Sequence, residues 1–231
     1  LRGVLKAAWL LGQVTAEDYH RAAAVESVTG QTIPAGRELS AGEIGGLLGA
    51  CANDLTIAGA RDAAIIALMY AAGLRRAEVT ALDLASYDTN TGGLKVHGKR
   101  NKTRTAYLVN GAAAAMADWL TVRGSEAGPL FQAINKGGRI TQGRLTTQAV
   151  YNMLQKRAAE AKITTAFSPH DFRRTFVSDL LERGADIATV AKMAGHANIS
   201  TTARYDRRPE EAKIKAASLL HVPYQRRGLA S

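Results

Sequence analysis

The chain has one cysteine, five prolines, few aromatic residues (6% of 231) and fewer acidic than basic side chains. Each shortage excludes something. A single cysteine cannot close an internal disulfide, and the five histidines are scattered without zinc-type spacing. Cys51, set among Ala, Leu and Ile, reads as a small buried hydrophobe in a reducing compartment. No run approaches the roughly 20 apolar residues of a membrane span, and the N-terminus lacks the charged-then-apolar order of a signal peptide. A soluble chain in the cytoplasm, without a membrane partner, is expected. The shortage of acid says most: 20 Asp and Glu face 30 Lys and Arg, leaving +10. Such an excess points to an acidic polymer, nucleic acid first, although an ordinary basic enzyme has the same composition.

With 46% hydrophobic residues the chain has enough apolar content for a real core. It begins at Leu1 rather than Met, so an upstream segment is expected. Residues 2–12 and 16–28 read as helices, with Thr15 as a cap before Glu17 and Asp18. Residues 29–38, with Gly30, Pro34 and Gly36, have linker composition. Ser40 with Glu43 has capping-box form and opens a helix over 40–52, where the main domain is expected to start. An apolar helix over 60–72 stops at Gly73, and a short helix restarts at Leu74. Between 84 and 109 the pattern becomes LASY, LKVH and TAYLV separated by turns, a three-stranded antiparallel sheet. Helices are expected over 111–123, 146–162, 171–183, 186–194, 200–205 and 210–220. The fold class is therefore mainly α (α+β), a helical domain with one small sheet.

Taken singly, the reactive residues have ordinary readings. Arg75, Lys99 in a hairpin turn, His170, Arg173 and His196 could each be solvated or capping residues, and Tyr205 could pack its ring on the core. Taken together they resemble the tyrosine recombinase, or phage integrase, family. The likeness is carried by GLRRAEV with Arg75, GKRNKTR with Lys99, SPHDFRRTF with His170 and Arg173, and AGHANISTTARYD with His196 and Tyr205. It covers roughly residues 39–210.

The chemistry fits without the family name. Transesterification at a phosphodiester builds charge on the non-bridging oxygens, which Arg75 and Arg173 can hold by permanently charged, bidentate contacts. A tyrosine with an ordinary pKa near 10 needs surrounding positive charge to act as a nucleophile. The leaving hydroxyl needs a proton, with Lys99 as leading acid and His170 as proton acceptor or orienter. A phosphotyrosine conserves the energy of the broken bond, so no metal or nucleotide cofactor is required. Lys102 competes with Lys99, which is preferred because it follows Gly98 as in the family motif. Glu78 reads either as a support for Arg75 or as a surface acid, and Asp171 and Asp206 as structural. Arg174, Arg100 and Ala194 depart from the commonest family pattern.

The resemblance implies a site-specific recombinase of integrase type acting on double-stranded DNA through a 3′-phosphotyrosine, as a homotetramer on DNA, with possible accessory DNA-bending or directionality proteins. It makes residues 1–38 the end of a core-binding domain plus linker, and 39–231 the catalytic domain with a tail helix. That tail either covers its own core or docks on a neighbouring protomer. Alanine- and arginine-rich usage fits a bacterial or phage genome, and the nucleoid of a bacterial host as location. Viral genome integration and chromosome resolution are not separated by these residues. A type IB topoisomerase and a DNA-binding regulator without catalysis are the rival readings.

Overall fold

The computed structural model describes residues 2–25, 36–98, 103–207, 210–221 and 223. By their contacts they divide into two units, one reaching Pro34 and one starting at Ala35. In the first, α1 (Arg2–Leu10) and α2 (Ala16–Ala24) flank a turn at Gly12, and Thr15 caps α2 by accepting from the Asp18 N–H at 3.1 Å. Trp9 stacks on Tyr19 with ring centroids 4.9 Å apart. Neither helix has a buried residue, and Val4, Leu10, Leu11 and Val25 are exposed.

In the second unit, α3 (Ala41–Ala52) starts on the Ser40–Glu43 capping box expected from the sequence. α4 (Ile57–Ala71) starts three residues earlier than the apolar pattern suggests, because Thr56 caps the Ala58 N–H. It is buried on most faces, between α3, α6 (Asn110–Arg123) and α8 (Pro169–Glu182). Ile65, Leu68 and Met69 on α4, Trp119 on α6 and Phe172 on α8 form the centre of the main core. Charge is buried there too. Arg157 of α7 (Thr147–Glu160), 1% exposed, donates to Asp62 of α4 at 2.7 Å, to Asp54 at 2.6 Å and to Glu160 at 2.8 Å. Cys51 is buried, and burial pushes its thiol up to about 12.

After α5 (Arg76–Ala81) comes the three-stranded antiparallel sheet of β1 (Tyr87–Asp88), β2 (Gly93–His97) and β3 (Thr103–Tyr107). Leu84–Ser86 is not strand but a 3-10 turn, because the Ser86 N–H is taken by Asp83 O and the Leu84 N–H by Gly128 O. β3 lies two residues before the TAYLV reading, in the register that pairs Val96 with Arg104 and His97 with Thr103. A second hairpin, β4 (Gln132–Ile134) and β5 (Ile140–Arg144), was not anticipated. Its strands are short and half-exposed, too weakly alternating to stand out. The Asn135-Lys136-Gly137-Gly138 turn was the available signal. The chain ends through α9 (Ile187–Ala194), α10 (Ile199–Ala203) and α11 (Glu210–Ala217). A smaller core joins Phe176, Val177 and Leu181 of α8 to Val190 and Ala194 of α9, with Tyr205 packed on it.

Candidate active site

Gly73 makes the turn between α4 and α5 at φ +58°, and a Cβ there would lie 2.4 Å from Phe176 Cδ1, so only glycine fits. The turn delivers Arg75 to the N-cap of α5. Its backbone N–H donates to Glu78 Oε2 at 3.0 Å and its Nη1 to Glu78 Oε1 at 2.9 Å. Glu78 is thus a support for Arg75 rather than a surface acid: its side chain is 7% exposed, against 39% for Arg75. Arg104 of β3 grips the same carboxylate through Nη1 at 3.2 Å and Nη2 at 2.9 Å, and donates through Nε to Met193 O at 3.0 Å.

Ser168 and Asp171 form a capping box that starts α8, with Pro169 in the first turn, and His170 and Arg173 follow one turn apart. Arg173 is 2% exposed. Its Nη1 donates to Gly73 O at 2.8 Å and its Nη2 to Ala194 O, so one guanidinium satisfies carbonyls just past the end of α4 and at the last residue of α9. Gly195 then closes α9 at φ +64°, where the His196 N–H returns to Ala191 O. His196 Nδ1 lies 2.8 Å from Thr202 Oγ1 on α10, and Thr202 O accepts the Tyr205 N–H at 2.9 Å. Buried Thr202 therefore links the histidine to the tyrosine, whose rings lie 6.5 Å apart and nearly parallel. The Arg174 guanidinium sits 5.5 Å from the centre of the Tyr205 ring.

The groups share one electrostatic field. Burial first, then Arg173 and Arg75, with His170 and Arg104 behind them, push His196 down to about 4. Partial burial, Arg173 and Arg75 likewise lower His170, against the pull of Asp171. Arg173 is brought to about 10 by burial and then Arg75, with Glu78 and Tyr205 opposing. Burial would raise Glu78, but the Arg104 hydrogen bonds, the Arg75 N–H and both positive charges bring it below the usual carboxylate range. Both imidazoles are consequently neutral at pH 7, and the positive charge sits on the arginines. Such a cluster can hold an anion.

Of the residues picked from the sequence, Arg75, His170, Arg173, His196 and Tyr205 come together here, while Lys99 and its competitor Lys102 lie outside the described residues. Asp171 is structural, accepting from the N–H groups of Ser168 and Arg37. Arg104 and Thr202 were missed, and Arg174 was noted only as a departure from the family pattern. For Arg104 the signal was strand alternation, which turns it inward beside Ala106 between exposed Thr103 and Thr105. Among the described residues no group of three or more His, Cys, Asp or Glu side chains could hold a metal ion.

Comparison with known proteins gives a consistent answer. The chain is 38% identical over 175 residues to a tyrosine recombinase XerC of Chromohalobacter salexigens, covering 76% of this chain and 57% of that protein. A XerC of Alcanivorax borkumensis is 35% identical over 182 residues, with 77% and 57% covered. The chain thus spans little more than half the length of these curated relatives. In three dimensions it resembles the crystal structure of XerA recombinase, with a TM-score of 0.64, 20% identity and 96% of this chain and 82% of that chain covered. It also resembles the catalytic domain of bacteriophage HP1 integrase, with a TM-score of 0.58, 19% identity and 79% and 94% covered. Residues 37–211 match the phage integrase family, and the chain belongs to that family.

Proposed function

We propose that the chain is the catalytic portion of a site-specific DNA recombinase that cuts and rejoins duplex DNA through a covalent 3′-phosphotyrosine on Tyr205. The observation that carries this is the placing of the Tyr205 ring beside His196 and Arg174, in the field of Arg173, within a family whose similar members are named tyrosine recombinases. Structural neighbours include XerH bound to its difH substrate and a lambda integrase dimer bound to a core site. Arg75 and Arg173 hold the non-bridging oxygens of the scissile phosphate. The phenol oxygen of Tyr205 bonds to phosphorus while the bond to the 5′ oxygen breaks. Neutral His170 takes the phenol proton, Lys99 gives one to the departing 5′ oxygen, and His196 holds the tyrosine segment through Thr202. The freed 5′ hydroxyl of a partner strand reverses the step, so the bond energy is retained without metal or nucleotide.

The remaining assignments follow from this reading. Residues 1–38 are the end of a core-binding domain plus linker, residues 39–231 are the catalytic domain, and a homotetramer on two DNA sites is the working assembly. Accessory DNA-bending or directionality proteins and the cytoplasm of a bacterial host complete it. The test uses a pool of nicked duplexes with a random core sequence, in which cleavage traps the protein on DNA. Adducts that survive denaturation should enrich one sequence and be absent with Tyr205→Phe, which should still bind DNA. Adducts persisting in Tyr205→Phe refute the assignment, and adducts without sequence preference, together with relaxation of any supercoiled plasmid, indicate a topoisomerase instead.

A further inference from the structure

We propose that Arg104 is a positioning residue of this site: it neutralises Glu78 and ties it to β3 and the end of α9, so that Glu78 orients Arg75 without withholding it from a phosphate. This rests on the function proposed above. Glu78 faces two arginines, and exposure tells them apart. The Arg104 side chain is 12% exposed and contacts both carboxylate oxygens, whereas Arg75 is 39% exposed and reaches Oε1 with one Nη. Arg104 is therefore the buried counter-ion and Arg75 the one with a free face. Without Arg104 the buried carboxylate would have Arg75 as its remaining guanidinium partner in this contact, and an ion so placed holds its last counter-ion strongly.

The same side chain fixes the relative placement of three elements. Its Nε occupies the Met193 carbonyl while Arg173 occupies that of Ala194, so two arginines take the orphan acceptors at the end of α9 just before His196. Its Cδ packs on Gly195, where a Cβ would lie only 3.1 Å away. Because Arg104 is on β3, which pairs with β2, it also sets these two strands against α5 and α9. Arginine suits the task, since a planar fork can hold a carboxylate and a carbonyl at once and stays charged at every working pH.

The test measures single-turnover adduct formation on the nicked duplex recovered from the random pool, with the variants prebound, alongside DNA affinity and thermal unfolding. Arg104→Met should slow the adduct about 10²-fold, as expected for a misplaced binding group, with affinity little changed. Arg104→Met combined with Glu78→Gln should recover much of that loss, because removing the carboxylate releases Arg75. Arg104→Lys should lose less than Arg104→Met. A double variant as slow as the single one, or equal losses of rate and affinity, would show that Arg104 merely props the fold. If Arg104→Met unfolds, Arg104→Gln with and without Glu78→Gln makes the same comparison. An unreactive wild-type chain refutes the functional reading itself, whereas a reactive wild type matched by Arg104→Met refutes only this inference.

Discussion

At the scale of single residues, the site is a phenol and two neutral imidazoles held among arginines. His196 is the sharpest case, since burial and then the charges of Arg173 and Arg75 lower it from 6.5 to about 4. Between those values the unfolded chain binds the proton and the folded one does not, so stability is complete above 6.5 and falls as the pH drops toward 4. His196→Gln should therefore flatten the fall of urea-unfolding stability across that window, and an unchanged slope would show that the histidine is not depressed. Lys99 is assigned from sequence and chemistry, and its role can be separated from that of Lys102. Sulfur in place of the bridging 5′ oxygen leaves without protonation, because a thiol is several pKa units more acidic than an alcohol. Lys99→Ala should be about 10²–10⁴-fold slow on the normal strand and close to wild type on the sulfur one. Lys102→Ala should show no such rescue, and rescue there instead would transfer the role of acid.

At the scale of elements, the placing of helix ends dominates. The carbonyl of Gly73 just past α4, the C-terminal carbonyls of α9 and the N-terminus of α5 converge on Arg173 and Arg104, so the arginines that crowd the site also hold it together. A different set of charges joins α4 and α7, where Arg157 and Asp62 have side chains 1% and 3% exposed. Removing one partner leaves the other buried without full compensation. Arg157→Met should destabilise the fold by about 3 kcal/mol, at the low end of the usual cost because Asp62 keeps Arg61 at 2.8 Å. Chemical denaturation with an unchanged m-value would establish this, and a loss below about 1 kcal/mol would mean the pair is solvated.

At the scale of the whole molecule, the +10 charge, combined with the proposed DNA substrate, predicts that several phosphates are neutralised on binding. DNA affinity measured by fluorescence anisotropy should fall about 10³-fold between about 50 and 200 mM salt if about six phosphates are contacted. A flat response would leave the charge without its partner. Of the buried acids near the site, Glu78 is held by a cation from elsewhere in the chain, Arg104, whereas Asp171 accepts from the backbone N–H groups of Arg37 and Ser168.

Legible in the sequence were most of the helices, the caps of α2 and α3, and the order of the reactive residues. Ser40 with Glu43, Thr15 with Asp18, and the stop at Gly73 are signals acting over a few residues, and each is found where it was read. GLRRAEV, SPHDFRRTF and AGHANISTTARYD were legible as a set because their order survives without any knowledge of distance. Tertiary structure alone decided that Glu78 is buried between Arg75 and Arg104, that Arg173 spans two helix ends, and that Thr202 joins His196 to Tyr205. The Arg104–Glu78 pair spans 26 residues and Arg173–Gly73 spans 100. Such pairings leave no local trace, because they exist only once packing of α4, α8 and α9 has brought charged side chains and unsatisfied carbonyls to the same place.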